Sequence, residues 1–398
     1  MDNRPLMDNR PGLLFIVNSL GVGGAEKQVV TLLNRLDRSR FRLHLAYLKP
    51  TAPLLAQLEV DRLDELLCCN AHRGIDWGAV GRLRRLIERR KIDIIISTNM
   101  YSMLYGWLAR ARAQAQLQLA AVFHTTIIKG FKAKSQMLLY RSLFKRCDLL
   151  IYVCENQRDY WRDGGLDGVN DAVVHNGIDV KYFGKQPSPA DTAALRKSLG
   201  FAPHDYVIGV CSALRPEKAH ADLLVAIAGL RDQGVPIKAL FIGDGPERAA
   251  IESNVEALSL RESIRITGVQ SDVRPFIGCC DVMALMSRSI ETFSLAALES
   301  MAAGKPLILT DIGGASEQVI HGQNGFLYEP GDIEALQLYL KSLRSQDLRT
   351  QMGASGATRV RRMFTVDSMT AGFETRLDEL LVREKASNHD WNMSTLHK

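Results

Sequence analysis

Short, largely apolar runs with helix-length stretches between them decide what this chain can fold into. Leu13 to Val17, Leu43 to Tyr47, Ile94 to Ser97, Leu119 to Phe123 and Leu149 to Val153 form one set. Val207 to Cys211, Ala239 to Ile242, Ile264 to Thr267, Val282 to Leu285 and Leu307 to Leu309 form a second. Runs this rich in apolar residues read as strands covered on both faces, which is the habit of parallel sheets. Strands that alternate with helices then stack as α/β layers. The turn-rich stretch from Asn176 to Ala190 separates the sets, and 398 residues are too many for one ordinary core. The expected architecture is two doubly wound domains, residues 1–183 and 184–363, followed by a tail from 364 to 398. In the tail Met369, Phe373, Leu377 and Leu381 mark the buried stripe of an amphipathic helix, and residues after Ala386 read as disordered.

Open α/β sheets bind ligands beyond the carboxyl ends of their strands. The polar motifs fall in such places: Gly21-Val22-Gly23-Gly24-Ala25-Glu26, Asn99, His124, Arg215-Pro216-Glu217-Lys218, Gly243-Asp244-Gly245-Pro246, Thr267-Gly268-Val269 and Glu291 all follow strands. Two facing domains would gather them around one crevice. The most informative run is Glu291-Thr292-Phe293-Ser294-Leu295-Ala296-Ala297-Leu298-Glu299, with carboxylates eight residues apart. The first lies in a loop, and the second in a helix for which Ser294 is the expected N-cap and Leu295, Leu298 and Met301 the buried stripe. Gly304-Lys305-Pro306 stops that helix. Free N–H groups at a helix start suit a phosphate, and carboxylates accept hydrogen bonds from sugar hydroxyls. Taken alone, two glutamates around a helix start are more often a solvated face.

The run resembles the E-x7-E signature of the retaining glycosyltransferases of family 4, which have the GT-B fold. Gly21 to Glu26, Asn176-Gly177-Ile178-Asp179, Leu214 to Lys218, Gly243 to Pro246, Thr267-Gly268, Gly313-Gly314 and Asn324-Gly325 follow the family's order over roughly residues 13 to 335. The resemblance implies an α/β GT-B protein of two facing Rossmann-like domains. The first would lie on the acceptor side, the second would bind a nucleotide-diphosphate sugar, and the tail helix would cross back to the first. Glu291 would accept hydroxyls of the transferred sugar and Glu299 those of the ribose, while Phe293, Ser294 and Leu295 supply N–H groups. Gly268 with Val269 would meet the nucleobase, and Gly23, Gly24 and Gly243 would approach the donor. His124 would touch the donor sugar or acceptor, with Asn99, Lys129 and Lys132 on the acceptor side. Lys218, near the start of a helix expected over residues 217–230, would offset charge on the leaving diphosphate, and Arg215 would add a forked contact. The family's commonest pattern has Arg five residues before this Lys, where the chain has Ala213.

Other readings are excluded or narrowed. Glu26 holds the last position of the G-x-G-x-x-G pattern and no acidic residue closes a following second strand, which argues against a dehydrogenase. The net charge of +6 is uneven: up to residue 180 there are 26 Lys and Arg against 18 Asp and Glu, and 24 against 26 beyond. A basic first half suggests an anionic acceptor or surface. Arg82 to Lys91 reads as a solvated helix face. Lys129 to Arg146, interleaved with Met137, Leu138, Tyr140, Leu143 and Phe144, is better placed to meet an anionic membrane. No aromatic RNA platform, helix-turn-helix or zinc finger points to nucleic acid. Seven cysteines without a C-x-x-C pair, and an N-terminus without a signal-peptide plan, suit reduced thiols in the cytoplasm. The opening repeats Met-Asp-Asn-Arg-Pro, so Met7 is an alternative start. No apolar run approaches the ~18 residues of a membrane span. No metal-ligand cluster is apparent, so no metal or cofactor is expected beyond the sugar nucleotide as co-substrate.

The expected protein is therefore a cytoplasmic, retaining hexosyltransferase, peripheral on the inner face of the membrane. It would serve lipid-linked or oligosaccharide acceptors in surface polysaccharide or lipopolysaccharide assembly. An epimerase or a phosphorylase on the same fold is the enzyme alternative, opposed by the E-x7-E run and by the lack of a recognisable pyridoxal phosphate lysine. A catalytically silent sugar-nucleotide-binding subunit is the other, with Ala213 in its favour.

Overall fold

The computed structural model describes residues 8–72, 74–124, 138, 140–289 and 291–395. The first sheet holds β1 (Gly12–Val17), β2 (Arg42–Tyr47), β3 (Glu65–Cys68), β4 (Ile92–Thr98), β5 (Gln118–Phe123), β6 (Leu149–Tyr152) and β7 (Asp171–Val173), in the order β3-β2-β1-β4-β5-β6-β7. The second holds β8 (Val207–Cys211), β9 (Lys238–Ile242), β10 (Ile264–Ile266), β11 (Val282–Leu285), β12 (Leu307–Thr310) and β13 (Gly325–Tyr328), in the order β10-β9-β8-β11-β12-β13. Neighbouring strands pair in parallel throughout both sheets. Each expected apolar run is a strand. The strands missing from the sequence reading, β3, β7 and β13, are all sheet edges with half-exposed residues, so they lack the unbroken apolar signature of a strand covered on both faces.

The chain divides into two compact units, Met1–Val153 with Arg158–His175 and Val366–Lys398, and Cys154–Gln157 with Asn176–Thr365. In the first unit the residues of β1 alternate between two cores. Leu14 and Ile16 pack on one face with Leu83, Ile87 and Leu119, while Leu13 and Phe15 pack on the other with Leu43 and Ile94. The latter face is covered by the helix Val366–Thr395 through Met369, Phe373, Leu377 and Leu380. Leu380 is the fully buried residue, Leu381 is only half-buried, and the helix runs past Ala386, where the sequence suggests disorder. Arg40 ties it down through ion pairs to Glu374 and Asp378. The second unit has its own core, Ile208, Val210, Leu224, Ile227, Phe241, Ala284 and Ile308 among its members. Among the described residues no helix is long and apolar enough to cross a membrane.

Candidate functional site

The order of the second sheet turns back between β8 and β11, and such a switch point leaves a cleft beyond the carboxyl ends of the two strands. The loop after β8 runs through buried Leu214 to a single 3-10 turn, Pro216–Lys218, and the α-helix begins only at His220. The sequence suggests a helix from Glu217. The break comes at Ala219, whose left-handed φ of +47° cannot continue an α-helix. Lys218 therefore ends a tight turn, and its ammonium pairs with Oε2 of Glu291 from the loop after β11. Ser287 Oγ donates to the same carboxylate oxygen at 3.1 Å, and the Ser287 carbonyl accepts from Thr310 Oγ1 at 2.7 Å. Lys218 and Glu291 retain 20% and 19% of their side-chain exposure, enough for a ligand to reach both. Arg215 stands apart from this pair, 60% exposed and 4.0 Å from the Glu217 carboxylate.

Ser294 is the N-cap of the helix Leu295–Ala302, its Oγ accepting from the Ala297 N–H at 3.3 Å. Leu298 and Met301 are fully buried but Leu295 is half-exposed, so the stripe is narrower than its spacing suggests. Glu299 is buried on this helix. The Ser294 N–H, expected to face a ligand, donates to Gln318 Oε1 at 3.3 Å, and Gln318 Nε2 donates back to the Ser294 carbonyl at 2.8 Å. Gln318 escaped the sequence reading because nothing local marks it. Gly313 and Gly314, following β12, seat beneath the carboxylate loop. A Cβ on Gly313 would lie 1.9 Å from the Glu291 carbonyl, and the Gly314 N–H donates to the Thr292 carbonyl at 2.7 Å.

Gly243 and Gly245 do similar work for the other loop. Their Cβ atoms would fall 2.1 Å from the Ser212 carbonyl and 2.3 Å from the Leu214 carbonyl. Gly243 thus allows close packing against the loop of Lys218, and it bridges to Gly268, beside which Val269 is 72% exposed. His220, buried next to this loop, shares a hydrogen bond with Ser212 Oγ at 3.1 Å. Burial, reinforced by the Lys218 ammonium, pulls its pKa down to about 4. The unfolded chain takes up this proton near pH 6.5 and the folded one only near pH 4, so stability falls as pH drops between those values. The linkage amounts to roughly 2–3 kcal/mol by pH 4. Urea unfolding of the wild type should show this loss from pH 7 to 4.5, and His220→Gln should reduce it, leaving the share of the other histidines whose pKa burial lowers. An unchanged slope in the variant would assign the loss elsewhere.

In the first unit, Gly23 is the N-cap of the helix Gly24–Leu33, and a Cβ there would meet Glu26 Oε2 at 2.3 Å. The Glu26 carboxylate therefore folds back over the glycine turn, with its pKa raised by burial. Asn99 and His124 end the neighbouring strands β4 and β5, and the structure brings them together: the His124 N–H donates to Asn99 Oδ1 at 3.3 Å. Burial lowers the His124 pKa to about 4, so its ring is neutral at pH 7. Lys129 and Lys132 lie outside the described residues, as does most of the basic stretch that contains them. The other basic stretch forms the helix Trp77–Arg90. Part of it is engaged within the unit, since Arg89 and Arg90 both pair with Glu65 and Arg82 donates to the Cys69 carbonyl. All seven cysteines are free thiols. Among the described residues no cluster of His, Cys, Asp or Glu is set to hold a metal ion.

Residues 191–359 match the family described as glycosyl transferases group 1, and residues 22–182 match glycosyltransferase family 4. The chain is 25% identical over 317 residues to N-acetyl-alpha-D-glucosaminyl L-malate synthase of Bacillus anthracis, covering 78% of this chain and 81% of that one. It is 26% identical over 322 residues to D-inositol 3-phosphate glycosyltransferase of Mycobacterium marinum, covering 77% and 66%. Among solved structures, HepE of Anabaena, crystallised with UDP-glucose, aligns over 92% of this chain and 99% of its own with a TM-score of 0.81. Its 22% identity speaks for the fold.

Proposed function

The chain belongs to the group 1, family 4 glycosyltransferases, enzymes that use nucleotide sugars, and we propose from that premise that it transfers a hexosyl unit with retention of configuration. The observation that carries the reading is the Lys218–Glu291 pair at the switch point of the second sheet, with the capped helix of Glu299 beginning beside it. When the donor binds, Lys218 exchanges the Glu291 oxygen for oxygens of the diphosphate. Glu291 then accepts hydroxyls of the sugar, Glu299 accepts those of the ribose, and Gly268 with Val269 meets the base. As the anomeric C–O bond breaks, Lys218 offsets the charge growing on the diphosphate, with Arg215 as a second cation. The acceptor oxygen enters on the face the diphosphate leaves, and its proton passes to a phosphate oxygen.

For the acceptor, a lipid-linked or oligosaccharide hydroxyl in surface polysaccharide assembly suits the excess of Lys and Arg in residues 1–180. That charge would also draw the first unit to an anionic membrane surface on the cytoplasmic side. A second reading, a small anionic acceptor, is favoured by two relatives whose names carry L-malate and inositol 3-phosphate. A thermal-shift panel of nucleotide sugars tests the donor half. A donor at a hundred times its Kd adds about 2.7 kcal/mol to the folded state. A UDP-hexose is expected to raise the Tm by several degrees, and a panel in which no nucleotide sugar does so would refute the reading.

A further inference from the structure

We infer that Arg288 is the positioning residue that sets Lys218 against Glu291, an inference that rests on the proposed role of this pair. Lys218 and Glu291 stand on different loops, and the β8–β11 ladder, which pairs Val282 with Ile208 and Met283 with Gly209, ends before either loop begins. Arg288 joins the two loops beyond the ladder. Its backbone N–H donates to the Glu217 carbonyl at 2.9 Å, the residue before Lys218. Its guanidinium forks onto Asp222, Nε at 2.9 Å and Nη2 at 2.6 Å, in the first turn of the helix that begins just after Lys218. Lys218 is thus clasped on both sides along the chain by one residue, and Glu291 follows three positions after that residue.

The Arg288 side chain is 55% exposed, which alone would mark it as an ordinary surface arginine. Asp222 is 7% exposed, so the fork has a fixed, buried end. A planar guanidinium bound through two nitrogens holds an angle as well as a distance, which a lysine ammonium cannot do. The clasp therefore sets the spacing of the reacting pair, where a displacement of about 1 Å is enough to cost up to about 100-fold in rate.

The test compares donor turnover by the full chain in Arg288→Ala, Arg288→Lys, Lys218→Ala and the double variant Arg288→Ala/Lys218→Ala. Arg288→Ala is expected to lower kcat roughly 10–100-fold while the donor KM changes less than about threefold. Arg288→Lys should recover only part of the loss. In the Lys218→Ala background, removing Arg288 should cost no more than about twofold, because a residue that acts through another has nothing left to position. Multiplicative losses in the double variant would overturn the inference while leaving the proposed function standing. Wild-type turnover by Lys218→Ala would overturn both. Should Arg288→Ala fail to fold around the unmatched Asp222 carboxylate, Arg288→Gln with Asp222→Asn keeps the buried end neutral and carries the same expectation.

Discussion

Glu291→Ala is expected to lose two to three orders of magnitude in transfer rate, equivalent to about 3–4 kcal/mol of barrier, while nucleoside diphosphate still binds. The side chain has two tasks, and each fails differently. Before the donor arrives it holds Lys218 and itself takes a hydrogen bond from Ser287. In the proposed mechanism it then orients the sugar of the bound donor, and the rate is expected to depend on that contact. Removing the carboxylate also removes a competitor for the Lys218 ammonium, so affinity for free diphosphate should hold or rise. Glu299→Ala should weaken the nucleotide itself, because its proposed partner is the ribose. Calorimetry with free nucleoside diphosphate on both variants separates the tasks. Equal loss of affinity in the two would contradict the division of roles.

Gly313→Ala should be among the most damaging single methyls in the second unit. Its φ of +57° strains any side chain, and the added Cβ would lie 1.9 Å from the Glu291 carbonyl. Backbone conformation costs about 1 kcal/mol and overpacking another 1–3 kcal/mol, and the relief available is a shift of the loop that carries Glu291. Stability and activity should therefore fall together, measured by urea unfolding and donor turnover. Gly304→Ala is the control: its φ is +71°, but a Cβ there meets nothing within 4 Å. It should lose only the conformational part and keep its rate. Wild-type turnover by Gly313→Ala would show that the Glu291 loop does not depend on this seat.

What was legible in the sequence follows from how each feature is encoded. Interior strands show as largely apolar runs because both faces are covered, whereas the edge strands β3, β7 and β13 carry half-exposed residues; the fourth edge, β10, is legible through Ile264 and Ile266 around Arg265. The cap at Ser294 was readable because a hydroxyl ahead of an apolar stripe is a local pattern. The turn at Lys218 was not, since Ala219 adopts a left-handed conformation that its residue type does not announce. Arg288 and Gln318 were missed for another reason. Arg288 meets Asp222 across 66 positions and Gln318 meets Ser294 across 24, so only the folded chain assembles their roles.

Donor turnover in the absence of acceptor, followed by NMR on a nucleotide sugar that stabilises the protein, tests the central claim most directly. A glycosyltransferase with Lys218 facing the diphosphate should release nucleoside diphosphate slowly to water, and the free sugar should first appear as the donor's own anomer. Glu291→Ala should abolish that release. Tight binding with no release by the wild type would identify a silent binding subunit instead, and first appearance of the opposite anomer would contradict retention.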